Sequence, residues 1–220
     1  MKKKILIIWL ITILGVTLFV LTGCVNNKDN SNQNGDEGNS VATEDVNAID
    51  NNDNYYVKIK GQKFNAGDKI SDVSKVGLEQ DSRVLSEKVA KNTYMIGAGS
   101  IYDSNKKIVC NLTPYNSTDS EITVADAVIG GLEVGEYQYD KISDEVLALD
   151  IEIVGGIKLG SSYDDVKKVF GETDKVYEAE KLGYKTYTYK SEEIYRSYEF
   201  TIDKDGKVSK IKWQNLVFNK

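Results

Sequence analysis

A short pattern of glycine, acidic and apolar residues occurs twice in this chain, 93 residues apart. The two stretches, 64–76 and 157–169, align without a gap. In each, a glycine is followed five residues later by Asp-Val, and a lysine precedes the final valine. The apolar spacing predicts a short helix in both. One strand-like run precedes each helix and several follow it, so we predict an α+β fold of two tandem units, each a short helix packed on an antiparallel sheet.

The first predicted unit spans residues 55–135 and the second spans residues 150–217. Between them, residues 136–149 form a connector that fits either a loop or a short helix. Within the first unit, residues 122–129 are expected to form a strand that ends at Gly130-Gly131, because paired glycines favour turns.

Local signals are clearest in the second unit. Alternation over residues 147–154 predicts its first strand. Ser162 and Asp165 form a capping-box pattern at the start of the helix, and Gly171 is expected to end it. A Tyr-rich antiparallel meander should follow, with residues 203–206 as its last hairpin turn.

Tyrosines of this meander are the candidate partner-binding residues. Alternation along residues 184–190 places Tyr187 and Tyr189 on one face of the sheet and Tyr184 on the other. One face must cover the apolar stripe of the helix, whereas the other can present tyrosine to a partner, since tyrosine is favoured at protein interfaces. The residues considered for partner binding are Tyr184, Tyr187, Tyr189, Tyr195 and Tyr198.

The beginning of the chain predicts secretion and a lipid anchor. Three lysines precede an apolar run that Leu21-Thr22-Gly23-Cys24 closes. This is the layout of a secretory signal peptide over residues 1–23, and its end resembles a bacterial lipobox. The resemblance implies that Cys24 is lipidated, becomes the new N-terminus and holds the protein on the extracytoplasmic side of the cell membrane. A retained transmembrane helix is the alternative, since the apolar run is about 18 residues long.

Residues 24–54 are predicted to form the lipidated Cys24 and a flexible linker that follows it. They are rich in Asn, Asp, Ser and Gly and lack apolar periodicity, so they cannot bury enough surface to offset the entropy lost on ordering. A linker of this length spans on the order of 30 Å, enough to hold the folded part clear of lipid headgroups.

Charge excludes one class of partner. The chain has a net charge of −6, and removal of its three leading lysines would lower that to −9. An acidic protein repels phosphate backbones, so nucleic-acid binding is not expected. Lysine is far more frequent than arginine and asparagine is abundant, a composition that points to a low-GC Gram-positive bacterium.

Composition also argues against several chemistries. The chain contains no histidine, which removes the commonest general base and metal ligand. Cys110 has no partner for an internal disulfide if Cys24 is lipidated, and its apolar neighbours predict a small buried side chain. Asp203 and Asp205 are too few and too close for a calcium loop. We therefore expect no cofactor, no metal site and no catalytic residues.

The second unit resembles a module of secreted bacterial lipoproteins. The segment from Gly160 to Gly171, followed by the tyrosine-rich meander that ends at Trp213, is similar to the SmpA/OmlA (BamE-like) lipoproteins and to β-lactamase-inhibitor-like proteins. The latter carry two tandem helix-plus-sheet units and bind proteins on a sheet face. This chain lacks the proline often found after the final glycine of the pattern, and the resemblance transfers no binding residue.

These observations predict a membrane-anchored extracytoplasmic lipoprotein that acts as a non-catalytic binding module, with a protein or cell-wall partner. A histidine-free envelope hydrolase is one alternative, since Ser-Lys and paired-carboxylate chemistries remain available. An accessory ligand-binding lipoprotein is another. A third alternative, the substrate-binding subunit of a transporter, is disfavoured because the chain is small and lacks long βαβ alternation.

Overall fold

The computed structural model describes residues 48–192 and 195–216. The predicted signal peptide, Cys24 and most of the predicted linker lie outside the described residues. Within the described ranges, no helix has the length and apolar character needed to cross a membrane.

Strands dominate the described chain, and the helices are few and short. The mixture of helices with a large antiparallel sheet confirms the predicted α+β class. The strands are β1 (Tyr56–Ile59), β2 (Gln62–Asn65), β3 (Glu79–Gln80), β4 (Lys88–Val89), β5 (Ser100–Tyr102), β6 (Ile108–Tyr115), β7 (Ile122–Thr123), β8 (Val128–Gly135), β9 (Val176–Ala179), β10 (Tyr184–Lys190), β11 (Arg196–Asp203) and β12 (Val208–Asn215). The α-helices are α1 (Asp144–Leu147) and α2 (Tyr163–Phe170), and 3₁₀ helices lie at Asn52–Asn54, Ile70–Val76, Val124–Asp126, Tyr139–Lys141, Val154–Gly156 and Glu180–Leu182.

Eight of these strands form one antiparallel sheet in the order β3-β5-β6-β8-β12-β11-β10-β9. The four strands from the first half of the chain therefore lie on one side, and the four from the second half lie on the other. The two sets meet where β8 pairs with β12, with Leu132 opposite Trp213. The strand pairs β1–β2 and β4–β7 form separate two-stranded ribbons.

Both predicted helical stretches are helical. The first is the 3₁₀ helix Ile70–Val76, and the second is α2, which ends at Gly171 as predicted. Ser162 and Asp165 make the reciprocal capping box, in which each side chain accepts a hydrogen bond from the backbone N–H of the other. Such a cap satisfies N–H groups that the first helical turn leaves without partners, so the local sequence fixes where α2 begins.

The apolar side of α2 packs on the sheet. Val166 is fully buried, and the Phe170 ring centroid lies 4.8 Å from that of Tyr198 and 5.1 Å from that of Phe200. These contacts assign one face of β10–β12 to the core and leave the side chains of alternate residues on the opposite face.

The expected strand end at Gly130-Gly131 is wrong. Both glycines lie inside β8 and are buried. A Cβ atom on Gly131 would lie 2.7 Å from the Trp213 carbonyl oxygen and 2.9 Å from Thr113 Oγ1. Glycine is required here because neighbouring strands approach too closely for a side chain, which is its other common role in sheets.

The strand predicted over residues 147–154 is also wrong. Helix α1 ends at Leu147, and Asp150 has a φ of 46°, which is outside the extended region. Glu152 makes only isolated bridges, to Lys58 and Lys158. The alternation of apolar residues instead reflects an irregular segment that buries Ile151 and Ile153.

The last residues of the predicted linker are folded. Ala48 and Ile49 are buried, and Asn52–Asn54 forms a 3₁₀ helix. Residues 48–54, which we call the strap, are tied to the domain because Tyr198 Oη donates to the Asn54 carbonyl oxygen at 2.7 Å. The linker boundary at residue 54 is therefore corrected, since two apolar residues within a polar run are enough to dock it.

Cys110 is buried, as predicted, with 3% of its surface exposed. Burial raises the pKa of its thiol to about 12, so the reactive thiolate is scarce near neutral pH. We expect iodoacetamide to leave Cys110 unmodified in the folded protein and to alkylate it in urea. Mass spectrometry of the peptide that carries Cys110 measures this, and rapid labelling of the native protein would contradict the burial.

Candidate binding face

Strands β9 to β12 present two chemically different faces. Register pairs Tyr187 with Phe200 and Tyr189 with Tyr198, and these four side chains lie on the side of α2. The intervening residues lie on the opposite side, which we call the groove face. It carries Tyr177, Tyr184, Thr186, Thr188, Glu199, Thr201, Lys210 and Lys212.

Three of the five candidate tyrosines lie on the α2 side. Tyr198 is fully buried, and Tyr189 is 4% exposed. The Tyr187 ring stacks on Tyr163 of α2 with centroids 4.0 Å apart. These positions serve packing, because they leave Tyr189 and Tyr198 almost no surface for a partner to contact.

The other two candidates lie at opposite ends of β10 and β11. Tyr184, the first residue of β10, is on the groove face. Tyr195 lies just before β11 and is 44% exposed. The structure therefore separates the predicted set, and Tyr184 alone of the five lines the groove.

Tyr184 belongs to an aromatic group that the sequence analysis missed. Its ring stacks on Tyr137 at a centroid distance of 4.8 Å and lies 6.5 Å from that of Tyr177. Tyr137 is 49% exposed and Tyr177 is 64% exposed. We call Tyr137, Tyr177 and Tyr184 the tyrosine cluster.

Signals for the two missed residues were present in the sequence. Tyr137 falls in the predicted connector, whose fold the sequence left open between loop and helix. Tyr177 lies in β9, one turn before β10, and its pairing with Thr186 shows that it shares the face of Tyr184. The register across that turn puts Tyr177 and Tyr184 on one face.

The tyrosine cluster borders a groove of about 430 Å³. Two ion pairs cross its floor: Lys210 Nζ lies 2.6 Å from Glu133 Oε1, and Lys212 Nζ lies 3.5 Å from Glu199 Oε1. Each cation is balanced by a carboxylate on the neighbouring strand. The floor is therefore polar but electrically balanced, with threonine hydroxyls between the pairs.

The charge of Lys210 on the groove floor acts on the tyrosine cluster. Partial burial lowers the pKa of Lys210, but the hydrogen bond and charge of Glu133 raise it more, so its net pKa is raised. Lys210 thus remains a cation, and its Nζ lies 4.7 Å from the Tyr137 ring centroid. Desolvation raises the pKa of Tyr184, so its phenol remains protonated and able to donate. A cation beneath one ring favours that ring's orientation toward the groove.

A second cavity, of about 590 Å³, lies on the α2 side of β10 and contains three carboxylates. Glu178 pairs with Lys185 at 3.0 Å. Asp203 accepts hydrogen bonds from the backbone N–H groups of Tyr139, Asp205 and Lys207. Both are engaged in the structure of the sheet and its turn, and the third carboxylate, that of Glu180, is exposed at the start of the 3₁₀ helix Glu180–Leu182.

Metal ligands do not converge in the part of the chain that the structure describes. No group of three or more Cys, Asp or Glu side chains there is arranged to hold an ion. Asp203 and Asp205 serve the β11–β12 turn instead, and Gly206 at that turn has a φ of 75°.

Comparisons with known proteins found no matching family model, no matching curated protein and no matching solved structure. The resemblance to tandem-module lipoproteins therefore stays a prediction, and the groove face is interpreted from its own chemistry.

Proposed function

We propose that this chain is an extracytoplasmic lipoprotein, anchored to the cell membrane through a lipid on Cys24, that binds a protein partner on its groove face without catalysis. The observation that supports this most is the tyrosine cluster: the Tyr184 ring lies against those of Tyr137 and Tyr177, both about half exposed or more, beside a polar groove. Stacked tyrosines offer large contact area with little side-chain entropy to lose.

The groove floor fits a protein surface better than a strongly charged ligand. Its lysines are already paired with glutamates, so an incoming phosphate or polyanion finds no unpaired cation among these four residues. Threonine hydroxyls of the floor and the phenol groups at the border can hydrogen-bond to peptide groups of a partner, whereas the rings supply the apolar part of the contact.

We further propose that the domain is built from two tandem units. Each half contributes a helical segment followed by four strands of the sheet: Ile70–Val76 precedes the strands of the first half, and α2 precedes β9–β12. The order is mirrored about the β8–β12 pair, as expected if two copies of one unit joined by their last strands. Continuity of the sheet makes them one cooperative domain.

The position of the strap supports a groove that is presented away from the membrane. The strap is held at the start of β11, where Arg196 Nη2 donates to Asn52 Oδ1. The tyrosine cluster lies at the other end of β10 and β11, where Tyr184 pairs with Asp203. An eight-residue strand rises about 23 Å from its first to its last residue, so the cluster would be presented distal to the anchored end.

The anchor is tested by replacing Cys24. Cells that express the full chain are fed a clickable fatty acid, and the labelled protein is measured on a gel. Cys24→Ser should abolish the label and release the protein from membranes. Equal labelling of the two proteins would refute the lipid anchor without bearing on the groove face.

The binding face is tested with the partner recovered from the native envelope by crosslinking. We expect Tyr177→Ala or Tyr137→Ala to weaken binding about thirtyfold, the cost of about 2 kcal/mol typical of an interface hot spot. Tyr195→Ala is the matched control, an exposed tyrosine at the far end of the strands. Equal affinity for wild type and both groove variants, or an equal loss with Tyr195→Ala, would contradict the assignment.

A further inference from the structure

The outer edge of β9 has no strand beside it among the described residues. β9 is the last strand of the sheet and consists of Val176, Tyr177, Glu178 and Ala179. Val176 is 42% exposed, and Tyr177 is 64% exposed. An edge of this kind is a template for pairing with another extended chain.

The alternation of hydrogen-bonded and non-hydrogen-bonded pairs between β9 and β10 shows which backbone groups of β9 point outward. Thr188 N–H donates to the Lys175 carbonyl oxygen, and β10 pairs residue for residue with β9 in the same register. The backbone groups of Tyr177 and Ala179 therefore point toward β10, and those of Val176 and Glu178 point away. Because Val176 N–H already donates to Asp174, the outward groups left for a new strand are the Val176 carbonyl and both backbone groups of Glu178.

We propose that a second copy of this chain pairs with this edge, antiparallel, with the twofold axis at Tyr177. Glu178 N–H of each copy then donates to the Val176 carbonyl oxygen of the other. The two Tyr177 residues face each other as a non-hydrogen-bonded pair, the type in which side chains approach most closely. Antiparallel pairing of one strand with itself is twofold by construction, so the same patch serves both copies.

Among the symmetric registers, this one fits the sequence of β9 best. An axis at Glu178 would put two carboxylates directly opposite each other, which is destabilising. An axis at Val176 would pair only one residue of the strand with its symmetry mate. The axis at Tyr177 pairs three strand residues, and no acid faces an acid among them.

Charge at the edge does not prevent this pairing. Glu178 is neutralised by Lys185, 3.0 Å away on β10, so an approaching copy meets a balanced pair. The opposite edge of the sheet is less suited: β3 has two residues, and Glu79 there makes an ion pair with Lys106. Short, charged edges resist strand addition.

The pairing joins the two groove faces into one surface. Two backbone hydrogen bonds and one ring pair are too few to hold a dimer in dilute solution, given the cost of association. Confinement on a membrane raises the effective concentration of the copies, and this step rests on the proposed lipid anchor. The dimer would bring two tyrosine clusters together at the seam.

A disulfide trap tests the register. Full-length Tyr177→Cys protein is reconstituted in phosphatidylglycerol–phosphatidylcholine liposomes, oxidised mildly and run on a non-reducing gel. Facing residues of a non-hydrogen-bonded pair have Cα atoms about 4.5 Å apart, within the range that a disulfide spans. We expect a covalent dimer several-fold above wild type, whose Cys110 is buried, and above Val176→Cys and Glu178→Cys.

Adding Glu178→Pro to Tyr177→Cys should return the dimer to the wild-type level, because it removes the outward donor while β9–β10 bonds remain. Glu178→Ala in the same background should keep the dimer. Equal crosslinking at all three positions, a maximum at Val176→Cys or Glu178→Cys, or no effect of proline would overturn the proposal. Liposome flotation checks the lipid anchor separately. If the protein does not float, the disulfide trap is repeated in solution at high protein concentration, and the same outcomes decide the proposal.

Discussion

A Trp213→Ala variant should lose about 3–5 kcal/mol of unfolding free energy, the usual cost of truncating a large buried aromatic side chain. Trp213 is fully buried and lies on β12 between Leu132 of β8 and Tyr198 of β11. Its ring also meets that of Tyr55 at a centroid distance of 5.9 Å. The side chain thus fills the core where the two halves of the sheet join, and urea denaturation followed by circular dichroism measures the loss.

Trp213→Phe is the informative companion. The indole Nε1 is buried and has no hydrogen-bond acceptor among the described residues. Phenylalanine removes that unsatisfied donor while it keeps most of the apolar volume, so its cost should be well below that of alanine. Both variants should unfold in a single transition if the halves form one cooperative unit. Two separate transitions, or equal costs for the two substitutions, would contradict this account.

The second large effect is expected at Asn116, a fully buried polar residue. Its two Nδ2 hydrogens are shared among the carbonyl oxygens of Val89, Ala90 and Ser120, at 3.0, 3.1 and 2.8 Å from Nδ2. Its Oδ1 accepts from the backbone N–H and the hydroxyl of Thr118. One amide therefore ties the loop 116–120 to residues 89–90 of the first half, and Asn116→Ala should cost about 3 kcal/mol, because buried carbonyls lose their donors.

Asn116→Asp is expected to be worse than alanine at neutral pH and milder in acid. The carboxylate would face three carbonyl oxygens in a buried site, which raises its pKa in the folded state above the unfolded value of about 3.9. A raised folded pKa means that stability is highest below the unfolded pKa and falls as pH rises through the folded value. Urea midpoints measured across this range provide the check, with Thr118→Ser as the mild control. If the urea midpoints of Asn116→Asp and wild type differed by the same amount at every pH, the side chain at position 116 would not be buried among carbonyl groups.

Sequence patterns predicted those elements that are set by local chemistry. The capping box of Ser162 and Asp165, the stop at Gly171 and the turn at residues 203–206 all depend on residues close in the chain. Strand β10 has the bounds over which alternation was seen, Tyr184–Lys190. In each case the sequence carries the donor, acceptor or backbone freedom that the local geometry needs.

The failures have a common physical cause. Gly130 and Gly131 favour a turn when only neighbours in the sequence are considered, yet Trp213 and Thr113 on adjacent strands leave no room for a side chain at Gly131. The tyrosine cluster likewise unites Tyr137 and Tyr177, which are 40 residues apart in the sequence. Their contacts with Tyr184 follow from strand order, which depends on long-range pairing and cannot be deduced from periodicity alone.

The strap has a mechanical consequence. Its hydrogen bonds to Arg196 and Tyr198 attach it at one end of β11, and the tyrosine cluster lies at the other end. Force between a partner on the proposed binding face and the proposed anchor would therefore run lengthwise along the strands. Since the interstrand bonds lie perpendicular to that direction, many of them would share the load at once instead of opening one by one, and the domain would resist being pulled apart under such a load.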